Sequence, residues 1–303
     1  MVTNSFLENL LSELDKLETL IYDLLDVAKI ENFHTDLHDP DKGCVWLGPW
    51  RYWDKLDNEG LIKQSKALKS FTSIYEIIEF IFSDKSSDVK SKIDEIKTSV
   101  MNFVDQKAGF LLWEVPSSIP EAKKTIQSNF VDLCSLLDSF KSTGEQGIIL
   151  IPDVNALIRN PDIQTYGSSI NSNTYTVVFI PTVLGELDNL KIIRREEEFR
   201  KKVESVISRI KGFRQQGSLF DGVTIYKTVT VKTVAKEPKA KEVLSWLDES
   251  VNDDRIIAST LEIQRQNLGS NVILVTSDIN LQNKAEAARL PYIETPEQKQ
   301  YTQ

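Results

Sequence analysis

The sequence predicts two parts of different class: an all-α N-terminal domain over residues 1–141, and an α/β domain over 147–303 whose parallel sheet is flanked by helices. Three observations carry this. Apolar residues of the first half recur at helical spacing. In the second half, runs rich in Val, Ile, Thr and Tyr alternate with helical stretches, the pattern of a parallel sheet. Between them lies KSTGEQG, a polar, Gly-containing linker around residues 142–147.

In chain order, Leu7, Leu10, Leu14, Leu17, Ile21, Leu24 and Ala28 alternate three and four apart, so one apolar stripe runs along a long helix. Two readings stand for it: a helix packed inside its own domain, or a coiled-coil seam toward a second copy or partner protein. Residues 34–60 break the period with Gly and Pro. They crowd Trp46, Trp50, Tyr52 and Trp53, read as an apolar plug rather than a base-stacking surface, because no basic run accompanies them. His34 and His38, beside Asp36 and Asp39, are read as loop residues rather than metal ligands. Residues 61–106 return to helical spacing, and a further helix begins near Ser118, with Pro120 in its first turn.

After the linker, Ile148–Ile151, Val177–Ile180, the run DGVTIYKTVTV and Val272–Val275 read as strands. Helices are expected over roughly 182–214, 239–268 and 280–289. In such a sheet, functional residues collect just beyond the carboxyl ends of the strands.

Composition narrows the function. The 303 residues suffice for two domains, and no run approaches the roughly 18 apolar residues of a membrane span. The N-terminus lacks the basic and apolar regions of a secretory signal, and Cys44 and Cys134 suit a reduced, cytoplasmic protein. The net charge of -9 falls wholly on residues 1–146, with 16 basic and 25 acidic residues, whereas 147–303 hold 20 of each. Phosphate neutralisation dominates nucleic-acid affinity, so charge disfavours the first half as a nucleic-acid surface and leaves the second open.

Four carboxylates mark the strand ends and helix starts of that second half: Asp153, Glu186, Asp254 and Asp278. Gathered at one sheet edge they repel, and cations must offset them. Oxygen donors without His or Cys suit Mg2+ or Mn2+. Two such ions can activate a water and stabilise the leaving oxygen of a phosphodiester. Taken singly, each acid also reads as a cap, a turn or a solvated helix face. Lys191, Arg194, Arg195 and their basic neighbours up to Arg214 stand five charges above the interspersed glutamates. They read equally as a phosphate-binding face or as a solvated helix with internal ion pairs.

Asp153-Val-Asn155, Glu186-Leu-Asp188, Asp254-Arg-Ile-Ile-Ala258 and Thr276-Ser-Asp278 resemble the pattern of the PIN-domain nuclease family. The run TSDINLQNKAEAARLP, with Lys284, extends the resemblance across residues 148–295. It implies a PIN-like parallel sheet and metal-dependent endoribonuclease cleavage of single-stranded RNA. Asp153, Glu186, Asp254 and Asp278 would be the ligands, supported by Asn155 and Thr276, with Asp253 beside them and Lys191, Arg194, Arg195 and Lys284 toward RNA. About 65 residues separate Glu186 from Asp254, more than in compact toxin-type members; the excess reads as an extra strand or hairpin. A haloacid-dehalogenase-like phosphatase would want a second Asp where Asn155 stands, and no Gly-rich phosphate loop follows the first strand. The alternatives are a DNA nuclease with the same site, and a regulatory or RNA-binding protein using the fold as a platform. In the endoribonuclease reading the helical domain regulates cleavage; in the platform reading it binds a partner.

Overall fold

A computed structural model describes residues 4–33, 50–106, 115–143, 146–193 and 196–297. His34, Asp36, His38, Asp39, Cys44, Trp46, Arg194 and Arg195 lie outside the described residues. The chain divides into two compact units, residues 1–10 with 138–303, and residues 11–137.

The N-terminal region is mostly helical, as expected. It holds α1 (Phe6–Leu25), α2 (Asn58–Phe82), α3 (Ser87–Asp105) and α4 (Ile119–Thr143). The periodic stripe from Leu7 to Ala28 is buried by the chain itself, which answers the first of its two readings. Sequence reading missed one feature: β1 (Ile30–Phe33) and β2 (Trp50–Trp53) pair antiparallel, Ile30 opposite Trp53. Trp53 is buried and meets Phe103 edge to face at 6.4 Å, so its part of the aromatic cluster is plug. Side chains also tie the helices together. Gln64 Nε2 donates to the carbonyls of Val104 and Asp105, satisfying acceptors at the end of α3, and Asn129 donates to Ser99 Oγ at 2.8 Å.

The second region is a six-stranded mixed sheet between helices. Its elements are β3 (Ile148–Pro152), α5 (Val154–Arg159), α6 (Gly167–Ile170), β4 (Tyr175–Phe179), α7 (Pro181–Ile193), α8 (Glu197–Arg214), β5 (Val223–Ile225), β6 (Val229–Thr233), α9 (Ala240–Val243), α10 (Asn252–Gln266), β7 (Asn271–Val275), α11 (Ile279–Ala287) and β8 (Tyr292–Ile293). Strand order is β5-β6-β4-β3-β7-β8, parallel except for the β5–β6 hairpin. Covered on both faces, β3 and β7 bury every residue in their last three positions. The long interval before Asp254 therefore extends the sheet, with Tyr226 and Lys227 at positive φ in the hairpin turn.

Two helical expectations need correction. The stretch 239–268 is a single turn, α9, followed by irregular chain up to α10. The helix ends where Leu244 turns extended, and further along the Asp248 carboxylate accepts from the backbone and hydroxyl of Ser250, a local turn that competes with helix before α10. The stretch 182–214 divides into α7 and α8. Among the described residues, no helix is long and apolar enough to cross a membrane.

Candidate metal centre

The chain passes from β3 outward to β4 and β6, then returns to the other side of β3 as β7. Parallel strands leaving a central strand in opposite directions open a crevice at their carboxyl ends. Register places residues there. Pro152 pairs with Val275, and the amide of Asp153 donates to the Val275 carbonyl at 3.0 Å, so Asp153 and Thr276 emerge side by side. The Thr276 hydroxyl donates to Asp153 Oδ2 and accepts from the Asp278 amide at 3.0 Å. Asp153 Oδ1 accepts from the Ala156 amide at 2.5 Å, and Asp278 Oδ1 from Asn280 and Leu281. Both aspartates thus cap the helices that follow them, α5 and α11, while standing at the crevice. The cap reading holds for both, and capping leaves each carboxylate at the crevice.

Electrostatics shows what surrounds Asp153. The residue is 4% exposed. Burial pushes its carboxyl up to about 6, against the downward pull of the Thr276 and Ala156 hydrogen bonds; the charges of Asp278 and Glu186 push further upward. Glu186, on the second turn of α7, is also raised. Burial is the main cause, the Asn252 amide bond at 3.4 Å opposes it, and the Asp253 charge adds to it. Asp153, Asp278, Glu186 and Asp253 therefore share one field.

Asp253 and Asp254 stand in the first turn of α10. Asp254 is buried; its Oδ2 accepts from the Asp248 amide at 2.9 Å, and its Oδ1 lies 2.7 Å from Lys284 Nζ. The same ammonium is 3.3 Å from Asp253 Oδ2. Lys284, expected toward RNA, is instead held inside the acidic group. Among the described residues no three ligands close on one point as they stand. The donors nonetheless fit a hard cation: they are all oxygen, and the buried Asp153 lacks a compensating charge among the causes that shift it.

Beside Asp278 an open cleft of about 730 Å³ runs between α5 and α8, lined by Asn155, Arg159, Phe199, Lys202, Ser205 and Ser277 among others. Asn155 is exposed there rather than bonded to Asp153. Arg159, which sequence reading did not single out, donates to Ser277 Oγ at 3.4 Å. Its place six residues after Asp153, at the end of one short helix, was the available signal. Lys191 is exposed in the last turn of α7. On α8, Lys201 and Lys202 pair with Glu197 and Glu198 at 2.7 and 3.3 Å, the intrahelical pairing weighed against a phosphate-binding face.

One further group joins the elements that carry the acids. Glu237, after β6, accepts from the amide and hydroxyl of Thr182 at the start of α7. Its other oxygen accepts from Arg255 of α10 at 2.5 and 3.2 Å. Nothing in the sequence marked it.

Residues 150–295 match the family model described as PIN domain. No curated protein matches the chain.

Proposed function

The C-terminal half of this chain is a PIN domain, of a family that is in general metal-dependent nucleases, and we propose that it is an endoribonuclease hydrolysing single-stranded RNA with Mg2+ or Mn2+. The observation that carries this is the buried Asp153 carboxylate at the end of the central strand, raised to about 6 beside Asp278 and Glu186. Those three residues would hold the cation. Once bound, it would activate a water toward phosphorus and offset charge on the departing oxygen.

The chain's own groups do the rest. Thr276 fixes the Asp153 carboxylate and, through its accepting lone pair, the Asp278 backbone. Asn252 orients Glu186. The cleft beside Asp278 offers Arg159 and Lys202 to phosphates, and Phe199 as a ring for a base. An open cleft that mixes apolar surface with cationic and hydroxyl side chains suits a single strand whose bases are accessible.

The test is cleavage of labelled single-stranded RNA and matched DNA with Mn2+, Mg2+ or EDTA, using the whole chain and Asp153→Asn. Metal-dependent RNA products that vanish in the variant are the expected result. Cutting of DNA alone would replace the substrate. Cutting that survives EDTA or Asp153→Asn would overturn the assignment.

A further inference from the structure

The helix that delivers Asp278 also delivers a cation. Asp278 caps α11, and Lys284 stands six residues later on the same helix, which packs against α10. That packing brings the ammonium 2.7 Å from Asp254 Oδ1 and 3.3 Å from Asp253 Oδ2. The second oxygen of Asp254 is occupied by the Asp248 amide. Of the two oxygens of the buried Asp254, one therefore accepts a backbone hydrogen bond and the other is ion-paired with the Lys284 ammonium without a hydrogen bond.

Resting on the reading of this centre as a divalent-cation nuclease site, we propose that the Lys284 ammonium permanently takes the place of a second ion, so that the chain binds a single divalent cation on Asp153, Glu186 and Asp278. Oxygen ligands approach Mg2+ to about 2.0–2.1 Å. An ion on Asp253 and Asp254 would have to displace the ammonium from that same space. It would also meet a like charge at close range in a partly buried pocket, where repulsion is poorly screened. The two halves of the acid group differ accordingly. Asp253 and Asp254 have a lysine beside them, whereas Asp153 is held by the neutral donors Ala156 and Thr276. A four-carboxylate, two-ion centre thus becomes a three-carboxylate, one-ion centre with an internal lysine. In that arrangement Asp254 is a positioning residue: it anchors Lys284 and, through the Asp248 amide, the turn before α10.

The experiment is a Mn2+ titration of the full chain, followed by calorimetry for stoichiometry and by electron paramagnetic resonance for coupling between ions. The expected result is about one Mn2+ per chain with an isolated-ion spectrum, and about two, spin-coupled, for Lys284→Met. Two ions in the wild-type chain would overturn the inference while leaving the nuclease assignment intact. So would a folded Lys284→Met that still binds one. No bound ion in the wild type would overturn the cation site itself. Should Lys284→Met not fold, the wild-type spectrum and Lys284→Gln decide alone.

Discussion

Asp153 is the residue where stability and function oppose each other. Its folded carboxyl titrates near 6 against an ordinary value of 3.8. Between those values the folded state holds the Asp153 proton more than the unfolded does, so this group's contribution to metal-free stability is greatest at low pH and is lost as pH rises through about 6. The difference corresponds to at most about 3 kcal/mol. Asn caps helices as well as Asp does and can still accept from the Ala156 amide. Asp153→Asn should therefore melt higher than the wild type at pH 7 without metal, and show a shallower pH dependence between 4 and 6, both read by thermal denaturation. Equal melting curves would place the stabilising proton elsewhere. Cation binding competes with that proton, so Mn2+ affinity should weaken as pH falls below about 6.

Arg159 makes a second residue-scale prediction. If it meets a phosphate, Arg159→Ala should weaken single-stranded RNA binding across sequences and make the salt slope shallower by about 0.7. Binding measured at several salt concentrations in Ca2+ tests this. An unchanged slope would move the strand out of the cleft.

At the scale of elements, α7 and α10 must hold Glu186 and Asp254 in place, and Glu237 links both helices with one carboxylate. Hydrogen bonds to charged groups contribute about 1.5–3 kcal/mol each, whereas exposed pairs four apart on a helix, such as those of α8, contribute about 0.3–0.5. Glu237→Ala should thus cost about 2–4 kcal/mol and weaken Mn2+ binding, with Glu237→Gln losing less because it still accepts from Thr182. Lys201→Ala should hardly move the melting temperature. A wild-type melt for Glu237→Ala would deny the link any role. Glu237 lay hidden in the sequence because it follows a hairpin, 55 positions after Thr182, and no local spacing records such a contact. The α9–α10 break was likewise unread: Asp and Ser compete with helix through short-range side-chain bonds that apolar periodicity does not register.

Over the whole molecule, the compact unit that carries the site includes residues 1–10. Phe6, Leu7 and Leu10 are buried, and Asn9 donates to the Arg289 carbonyl at 3.1 Å. Burying such side chains contributes about 1.5–3 kcal/mol each. A chain beginning at residue 11 should therefore lose stability on the order of 5 kcal/mol, with its nuclease unit melting earlier. Unchanged melting would show that the first turns of α1 do not support that unit.

The sequence by itself determined the alternation of strands and helices after residue 147, the helical N-terminal region, and the four acids at strand ends and helix starts. These are local properties: period, turn chemistry and caps act over a few residues. Tertiary structure decided which acids meet, because strand order and register bring Asp153 beside Thr276 and Asp278 from 123 residues away. It also decided that Lys284 faces Asp253 and Asp254 rather than solvent. Asp253 lies 31 residues before Lys284, so in sequence the lysine reads as a surface cation; only the packing of α11 on α10 brings it to Asp253 and Asp254. Coulombic partners are chosen by distance in space, and distance in space is what a one-dimensional pattern does not carry.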